Sequence, residues 1–136
     1  MKFELDHIGV AVESLEKGKA FYEALGLGSM SVEKVASEKV TVGMFELEND
    51  ARIELLEPTE PDSPVGKFIK SRGPGIHHIC LKVSDIRATV KALKAQGVQL
   101  INEEPRLGAH NKLVVFIHPK STGGLLIELS QPKGEA

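Results

Sequence analysis

Two histidines and two glutamates stand at matching places in the two halves of this sequence. His7 opens an apolar segment near the N-terminus, and His78 opens a similar segment in the second half. Glu54 and Glu128 each lie inside an Ile-Glu-Leu tripeptide near the end of their half. Two imidazoles and two carboxylates suit Mn²⁺, Co²⁺, Fe²⁺, Ni²⁺ or Zn²⁺. The four residues therefore predict a divalent-metal site, in which an octahedral shell would leave two positions for water or a chelating substrate.

The spacing around these residues indicates an internal duplication. Placing His7 on His78 also places Ser14 on Asp85 without a gap, and the two glutamates align once three extra residues are allowed in the later half. A repeat of this kind is typical of two copies of one structural unit. Because such copies usually pack about a pseudo-twofold axis, we expect the two histidines to approach each other, and the two glutamates likewise.

Strand alternation separates these candidates from their neighbours. A lone histidine at a strand start is usually structural and a strand glutamate usually faces solvent, so only the paired placement favours a metal. A glutamate within an Ile-x-Leu strand is unusual, and a buried carboxylate needs a partner. His78 and Cys80 share one strand face, whereas His77 points to the other. We therefore interpret His77 as structural or as support for a ligand, and Cys80 as a small wall residue with a minor ligand role open.

The elements that must position these residues form two βαβββ modules. Ser14 and Asp85 are good helix N-caps, and Gly26 and Gly97 are typical helix ends. Predicted strands cover residues 3–12, part of 30–37, 39–47, 51–56, 76–83, a strand starting at 100–101, 113–117 and 125–129.

We expect one domain of the α+β class over residues 1–136. Modules at about 1–58 and 75–132 are joined by an ordered connector, 59–74, and together form a curved mixed sheet around the metal site. Apolar spacing predicts a short helix in the connector, with Pro64 in its first turn. Residues 103–111 are predicted to be a loop, and the polar tail from Gln131 is predicted to fray.

Composition limits the function classes. The chain has 136 residues, a formal net charge of −2 and one cysteine. The near-balanced charge does not favour nucleic-acid binding, and no apolar run approaches the ~20 residues needed to span a bilayer. One cysteine excludes an internal disulfide, and the first strand starts too early for a signal peptide. These features predict a soluble cytoplasmic protein with no nucleic-acid or membrane partner.

Several segments resemble a known family. The chain is similar to the vicinal oxygen chelate superfamily (glyoxalase, bleomycin resistance and dioxygenase proteins), and over nearly its whole length to the methylmalonyl-CoA epimerases within it. The His and Glu pattern alone marks only the superfamily, whereas the connector and the His-Pro-Lys-Ser segment are specific to the epimerases. The segments that carry the resemblance are residues 6–12, 53–58, 63–69, 75–79, 104–108, 116–121 and 124–129.

The resemblance implies an activity, a cofactor and a partner. The enzyme would interconvert (2R)- and (2S)-methylmalonyl-CoA by proton transfer at C2 through a metal-stabilised enolate. His7, Glu54, His78 and Glu128 would hold one divalent ion, with Co²⁺ favoured over Mn²⁺, Ni²⁺ or Zn²⁺. A homodimer is common in the superfamily and is expected here.

The residues for proton transfer follow the family less closely. Glu128 matches a ligand that the family also assigns to proton transfer. Several relatives have a separate glutamate on the second strand, where this sequence has Val42. Many relatives have Gln where this chain has Glu54, so we predict Glu54 as the second base, with Glu46 as a weaker candidate. Binding residues for coenzyme A stay unknown; five cations are candidates, although each is more often a surface charge: Lys67, Arg72, Arg106, Lys112 and Lys120.

Two other functions stay open on sequence. A lactoylglutathione lyase of the glyoxalase I type would use the same ligands and a glutathione hemithioacetal. A non-catalytic ligand-binding protein of the same fold would generally lack the full ligand set. The His-Pro-Lys-Ser segment beginning at His118 and the connector favour the epimerase over both.

Overall fold

The computed structural model describes residues 2–135, which form an α+β fold as predicted. The predicted βαβββ order occurs twice, with an added helix in the connector. None of the described helices is long and apolar enough to cross a membrane. The described strands and helices are β1 (Phe3–Ala11), α1 (Leu15–Ala24), β2 (Ser31–Val35), β3 (Val40–Glu46), β4 (Arg52–Pro58), α2 (Pro64–Arg72), β5 (Gly75–Val83), α3 (Ile86–Ala95), β6 (Arg106–Leu107), β7 (Lys112–Ile117) and β8 (Leu126–Pro132), with short 3₁₀ helices at Ala36–Glu38, Ala109–Asn111, Pro119–Ser121 and Lys133–Glu135.

The chain divides into two compact units. The first unit runs from His7 to His77, and the second contains the residues before His7 and those from His78 onward. The association of both modules in one domain stays a prediction.

In the first unit, β4 lies between β1 and β3. It pairs in parallel with β1, which sets Gly9 opposite Glu54, and antiparallel with β3, which in turn pairs with β2. Alternation then sends the odd-numbered side chains of β4, such as the buried Leu55, into a core with Leu15 and Phe45. Glu54 is left on the opposite face of the same strand.

Helix α1 begins where two side chains satisfy its free N–H groups. The Ser14 hydroxyl accepts from the N–H of Lys17 at 3.3 Å, as predicted for an N-cap. The Glu57 carboxylate accepts from the N–H of Leu15 at 2.9 Å, which ties the helix to β4. The helix ends at Ala24, and Gly26 follows just beyond it with a φ of +90°, which suits glycine at this position.

The second unit repeats this arrangement. Strand β8 pairs in parallel with β5 and antiparallel with β7, which pairs with the short β6. Its core packs Ile86 and Val90 of α3 against Val115 and Leu129 of the sheet. The face opposite this core carries Glu128.

Helix α3 starts in the same way as α1, and this corrects one prediction. Asp85 accepts from the N–H of Ala88 at 3.0 Å, and the Gln131 side chain accepts from the N–H of Ile86 at 2.8 Å. Gln131 was predicted to lie in a fraying tail, but it is buried and belongs to β8, which runs to Pro132. Gln131 follows Glu128 by three residues, as Glu57 follows Glu54, so the duplication preserves this contact.

The region after α3 differs from the prediction. The strand expected to begin at Leu100 is only an isolated bridge to Ile117, and the predicted loop contains β6. The physical reason is Asn102, whose side-chain amide donates to the carbonyl of Val114 at 3.2 Å and accepts from the N–H of Phe116 at 2.9 Å. A side chain therefore replaces the backbone pairing that would have continued the strand.

The connector is ordered and helical, as predicted. Ser63 is fully buried and caps α2 by accepting from the N–H of Gly66 at 3.0 Å, while Pro64 occupies the first turn. Val65 is the buried apolar residue of this helix. The connector thus anchors the segment that leads into β5.

Candidate metal centre

The first unit holds His7 and Glu54 side by side. The parallel register of β1 and β4 puts both on the same sheet face, beside Gly9, which has no side chain. The His7 Nδ1 lies 3.3 Å from the Glu54 Oε2, and both residues are buried. The sequence expectation that a buried strand carboxylate has a partner is met in this unit.

Arg52 is a buried residue of this cluster that the sequence reasoning missed. Its Nε and Nη2 each lie 3.0 Å from the Glu54 Oε2. Arg52 precedes Glu54 by two residues and therefore shares its strand face. The combination of a predicted buried carboxylate and an arginine at this spacing is the signal that would have identified it.

The second unit holds His78 and Glu128 at the equivalent strand positions. The His78 Nε2 lies 3.0 Å from the Glu128 Oε1, and both residues are buried. Cys80 stands opposite Glu128 in the register of β5 and β8 and is fully buried, as expected for a wall residue. The Phe116 ring meets the His78 ring edge-on, with 6.4 Å between centroids.

The donor spacing in each pair fits adjacent ligands of one metal ion. Two ligands at about 2.1 Å from an ion and 90° apart are about 3.0 Å from each other. The distances of 3.0 Å in the second pair and 3.3 Å in the first are close to this value. Each unit therefore has one nitrogen and one oxygen donor that could bind the same ion, while the complete four-ligand site stays a prediction.

The neighbouring candidates have different surroundings. The His77 ring contacts the Phe68 ring edge-on, with 4.9 Å between the ring centroids, which fits the structural one of its two predicted roles. Val42 is buried on β3 and has no titratable group. Glu46, the weaker candidate base, is exposed at the end of the same strand.

Three of the five candidate cations have specific contacts within their own units. The Lys112 Nζ lies 2.6 Å from the buried Asp6 Oδ1, so this ammonium already has a carboxylate partner. The Arg72 guanidinium lies 5.6 Å from the centre of the Phe68 ring, and that of Arg106 lies 5.6 Å from the Phe116 ring. The remaining two, Lys67 and Lys120, are exposed.

The His-Pro-Lys-Ser segment has a structural role in this fold. The His118 Nδ1 accepts from the N–H of Lys120 at 3.0 Å and begins a 3₁₀ turn. Within that turn, the Ser121 hydroxyl accepts from the N–H of Gln99 at 2.8 Å. The segment therefore fixes the connection that leads into β8 and its glutamate.

Comparisons with known proteins show what this chain is similar to. A sequence profile of the Glyoxalase/Bleomycin resistance protein/Dioxygenase superfamily matches residues 6–116. The chain is 43% identical over 132 residues to the uncharacterised protein YqjC of Bacillus subtilis, covering 96% of this chain and 94% of that protein.

Two further sequence relatives have named activities. The mitochondrial methylmalonyl-CoA epimerase of Homo sapiens is 42% identical over 130 residues, covering 93% of this chain and 73% of the human protein. The ethylmalonyl-CoA/methylmalonyl-CoA epimerase of Cereibacter sphaeroides is 41% identical over 130 residues, covering 93% of this chain and 96% of that protein.

A solved structure matches nearly the whole chain. It is a methylmalonyl-CoA epimerase in complex with methylmalonyl-CoA and NH₄⁺, with a TM-score of 0.90 and 32% sequence identity, covering 98% of this chain and 96% of that one. This similarity extends to residues of both units.

Proposed function

Because this chain belongs to the Glyoxalase/Bleomycin resistance protein/Dioxygenase superfamily and, within it, to the methylmalonyl-CoA epimerases, we propose that it interconverts (2R)- and (2S)-methylmalonyl-CoA. The observation that carries the proposal is the buried His–Glu pair found at equivalent positions of the two units. A family profile alone would fit other activities, whereas relatives named for this reaction match over most of the chain.

The substrate explains why such residues are needed. Its C2 hydrogen lies between a thioester and a carboxylate, so its removal develops negative charge on oxygen. We propose that His7, Glu54, His78 and Glu128 hold one divalent ion, with Co²⁺ as the first choice and Mn²⁺, Ni²⁺ and Zn²⁺ as alternatives. Such an ion, when bound, would supply Lewis-acid stabilisation of that charge and a template for both oxygens. Burial of all four side chains supports this assignment, because it limits competition from water.

Inversion at C2 requires a proton acceptor on one face of the substrate and a donor on the other. Glu54 and Glu128 are the carboxylates proposed for these roles, in which each would accept the proton in one direction and return it in the other. The alternative position on β3 carries Val42, which cannot accept a proton. Contacts with Arg52 and His7 fix the direction of the Glu54 carboxylate.

We also propose a cytoplasmic homodimer. The chain has one cysteine and so has no internal disulfide, which agrees with a reducing compartment. Light scattering after size-exclusion chromatography would measure the mass of the assembly, and a monomer would contradict this part of the proposal.

The test is proton NMR of each methylmalonyl-CoA epimer in D₂O, with metal-free protein before and after Co²⁺ is added. We expect metal-dependent loss of the C2 proton signal, together with appearance of the other epimer. Protein-free Co²⁺ is the control for spontaneous exchange. Absence of exchange with any divalent metal would refute the proposal. Turnover of a glutathione hemithioacetal would then identify a lactoylglutathione lyase, and its absence would leave the binding-protein function.

A further inference from the structure

Ser130 is a buried polar residue on the same strand face as Glu128. It follows Glu128 by two residues on β8, so the side-chain alternation of a strand puts both on one face. Ser130 is only 1% exposed, and within residues 2–135 its hydroxyl has no hydrogen-bond partner. The chain therefore has a fully desolvated hydroxyl beside its proposed metal ligand.

An unpaired buried hydroxyl destabilises a folded protein, and alanine at this position would avoid that penalty. The other fully buried serine behaves in the ordinary way, because Ser63 uses its hydroxyl to cap α2 at 3.0 Å. The hydroxyl of Ser130 has no such structural contact. A hydrogen-bond acceptor that is present only when a ligand is bound would explain why this position carries a hydroxyl.

The surroundings of Ser130 suit an anionic oxygen. Its register partners are Lys82 on β5 and Val114 on β7, and the half-buried residue Lys82 shares its sheet face on a strand whose backbone lies about 4.8 Å away. Along β8, Ser130 lies about 6.6 Å from Glu128, at 3.3 Å per residue. The hydroxyl is thus within the length of a small acyl group from the carboxylate, and its register partners on the same sheet face are a lysine and a valine.

We propose that the Ser130 hydroxyl donates a hydrogen bond to an oxygen of the bound malonyl group, and so is a substrate-binding residue of this enzyme. The proposal rests on the proposed epimerase function. It assigns to Ser130 recognition of the acyl end of the substrate, while the coenzyme A portion would be recognised elsewhere.

The test uses the metal-loaded enzyme and Ser130→Ala. A hydrogen bond to a charged oxygen is worth about 10- to 100-fold in affinity. We therefore expect the Kd of the analogue 2-nitronate-propionyl-CoA, which binds related epimerases, to rise about 10- to 100-fold by calorimetry, with a similar fall in kcat/KM. The Kd of free coenzyme A and the bound metal content should not change. The melting temperature of the ligand-free variant should stay the same or rise, because the lost hydroxyl had no partner.

Two further variants separate this role from a structural one. Ser130→Thr keeps the hydroxyl and should retain most of the analogue affinity. Ser130→Cys has a weaker donor, so its analogue affinity should lie between those of wild type and Ser130→Ala. Ser63→Ala is the matched control: it removes a buried serine hydroxyl that has a partner, so it should lower the melting temperature and leave analogue affinity unchanged.

The outcomes distinguish the two proposals. If wild-type protein exchanges the C2 proton but Ser130→Ala binds the analogue as tightly as wild type, only the role of Ser130 is overturned. If coenzyme A affinity falls as much as analogue affinity, the residue does not recognise the acyl group and the proposal is wrong. If wild-type protein neither exchanges the proton nor binds the analogue, the epimerase function itself fails.

Discussion

The replacement Glu54→Gln tests whether a metal ligand of the first unit also transfers a proton. The amide keeps the size of the side chain and an oxygen that can bind a metal, but it cannot accept a proton from carbon. We therefore expect Co²⁺ to bind and epimerisation to be lost. Because Glu128 is intact, the C2 proton of one epimer should still exchange with D₂O, while that of the other should not.

The expected loss of rate in Glu54→Gln follows from the proposed role of Glu54 as a general acid and base. A general acid or base contributes about 10²- to 10⁴-fold to a rate, which corresponds to about 2.7–5.5 kcal/mol of activation free energy. The free energy of unfolding should fall by less than the activation free energy rises. Breaking a buried ion pair outright costs about 3–5 kcal/mol. The glutamine oxygen can still accept from Arg52, now at 3.0 Å from Glu54, so we expect about 1.5–3 kcal/mol. The melting temperature should then fall by about 5–10 °C.

The assay is proton NMR of each epimer separately, at a temperature well below the melting transition of the variant. Glu57→Gln is the matched control, because Glu57 lies on the same strand, faces α1 and accepts from the N–H of Leu15. The same chemical change there keeps an acceptor and should leave the rate near that of wild type. Metal content of both variants, measured by elemental analysis, separates loss of a ligand from loss of a base.

Three results would refute this reasoning about Glu54. Full activity of Glu54→Gln would show that Glu54 transfers no proton. Equal loss of exchange from both epimers, with metal retained, would show that its contribution is not specific to one face. Loss of the metal would refute the expectation that an amide oxygen can replace the Glu54 carboxylate as a ligand.

Three further replacements test contacts that hold the fold. Lys112→Met removes the ammonium that lies 2.6 Å from the buried Asp6 carboxylate, so the free energy of unfolding in urea should fall by about 3 kcal/mol; an unchanged value would show that the pair is not stabilising. Gln131→Ala removes the acceptor of the Ile86 N–H and should cost about 1–2 kcal/mol, whereas Gln131→Glu keeps an acceptor and should stay near wild type in the same titration. Gly66→Ala would put a Cβ 2.5 Å from a carbonyl oxygen of the preceding turn and should cost about 1–3 kcal/mol; thermal melting at the wild-type temperature would contradict this contact.

The sequence predicted the elements whose signals are local. Ser14 and Asp85 cap their helices as expected, because a cap needs only a side-chain oxygen within three residues of its donor. The helix end at Gly26 is likewise set by its own backbone conformation. The four proposed ligands are not local in sequence, and they were singled out only because the duplication showed the same residues twice. Their assembly into one site stays a prediction.

The contacts that the sequence did not predict depend on tertiary proximity. Asn102 replaces a stretch of strand by bonding to β7, more than ten residues away along the chain. Gln131 is separated by 45 residues from Ile86, whose N–H donates a hydrogen bond to its side-chain oxygen. Polar side chains of this kind look like surface residues in a sequence, because nothing nearby marks the backbone group that they will satisfy.

The duplication preserves the proposed ligands but not their surroundings, and this difference bears on the mechanism. Arg52 stands opposite His7 in the first unit, whereas its counterpart opposite His78 in the second unit is Leu126. The guanidinium fixes the carboxylate of Glu54 in one direction, and no arginine occupies the equivalent place beside Glu128. If both glutamates transfer protons, they do so from different environments. Replacing each by glutamine should therefore affect exchange of opposite epimers by unequal factors, and equal factors would show that Arg52 has no influence on the reaction.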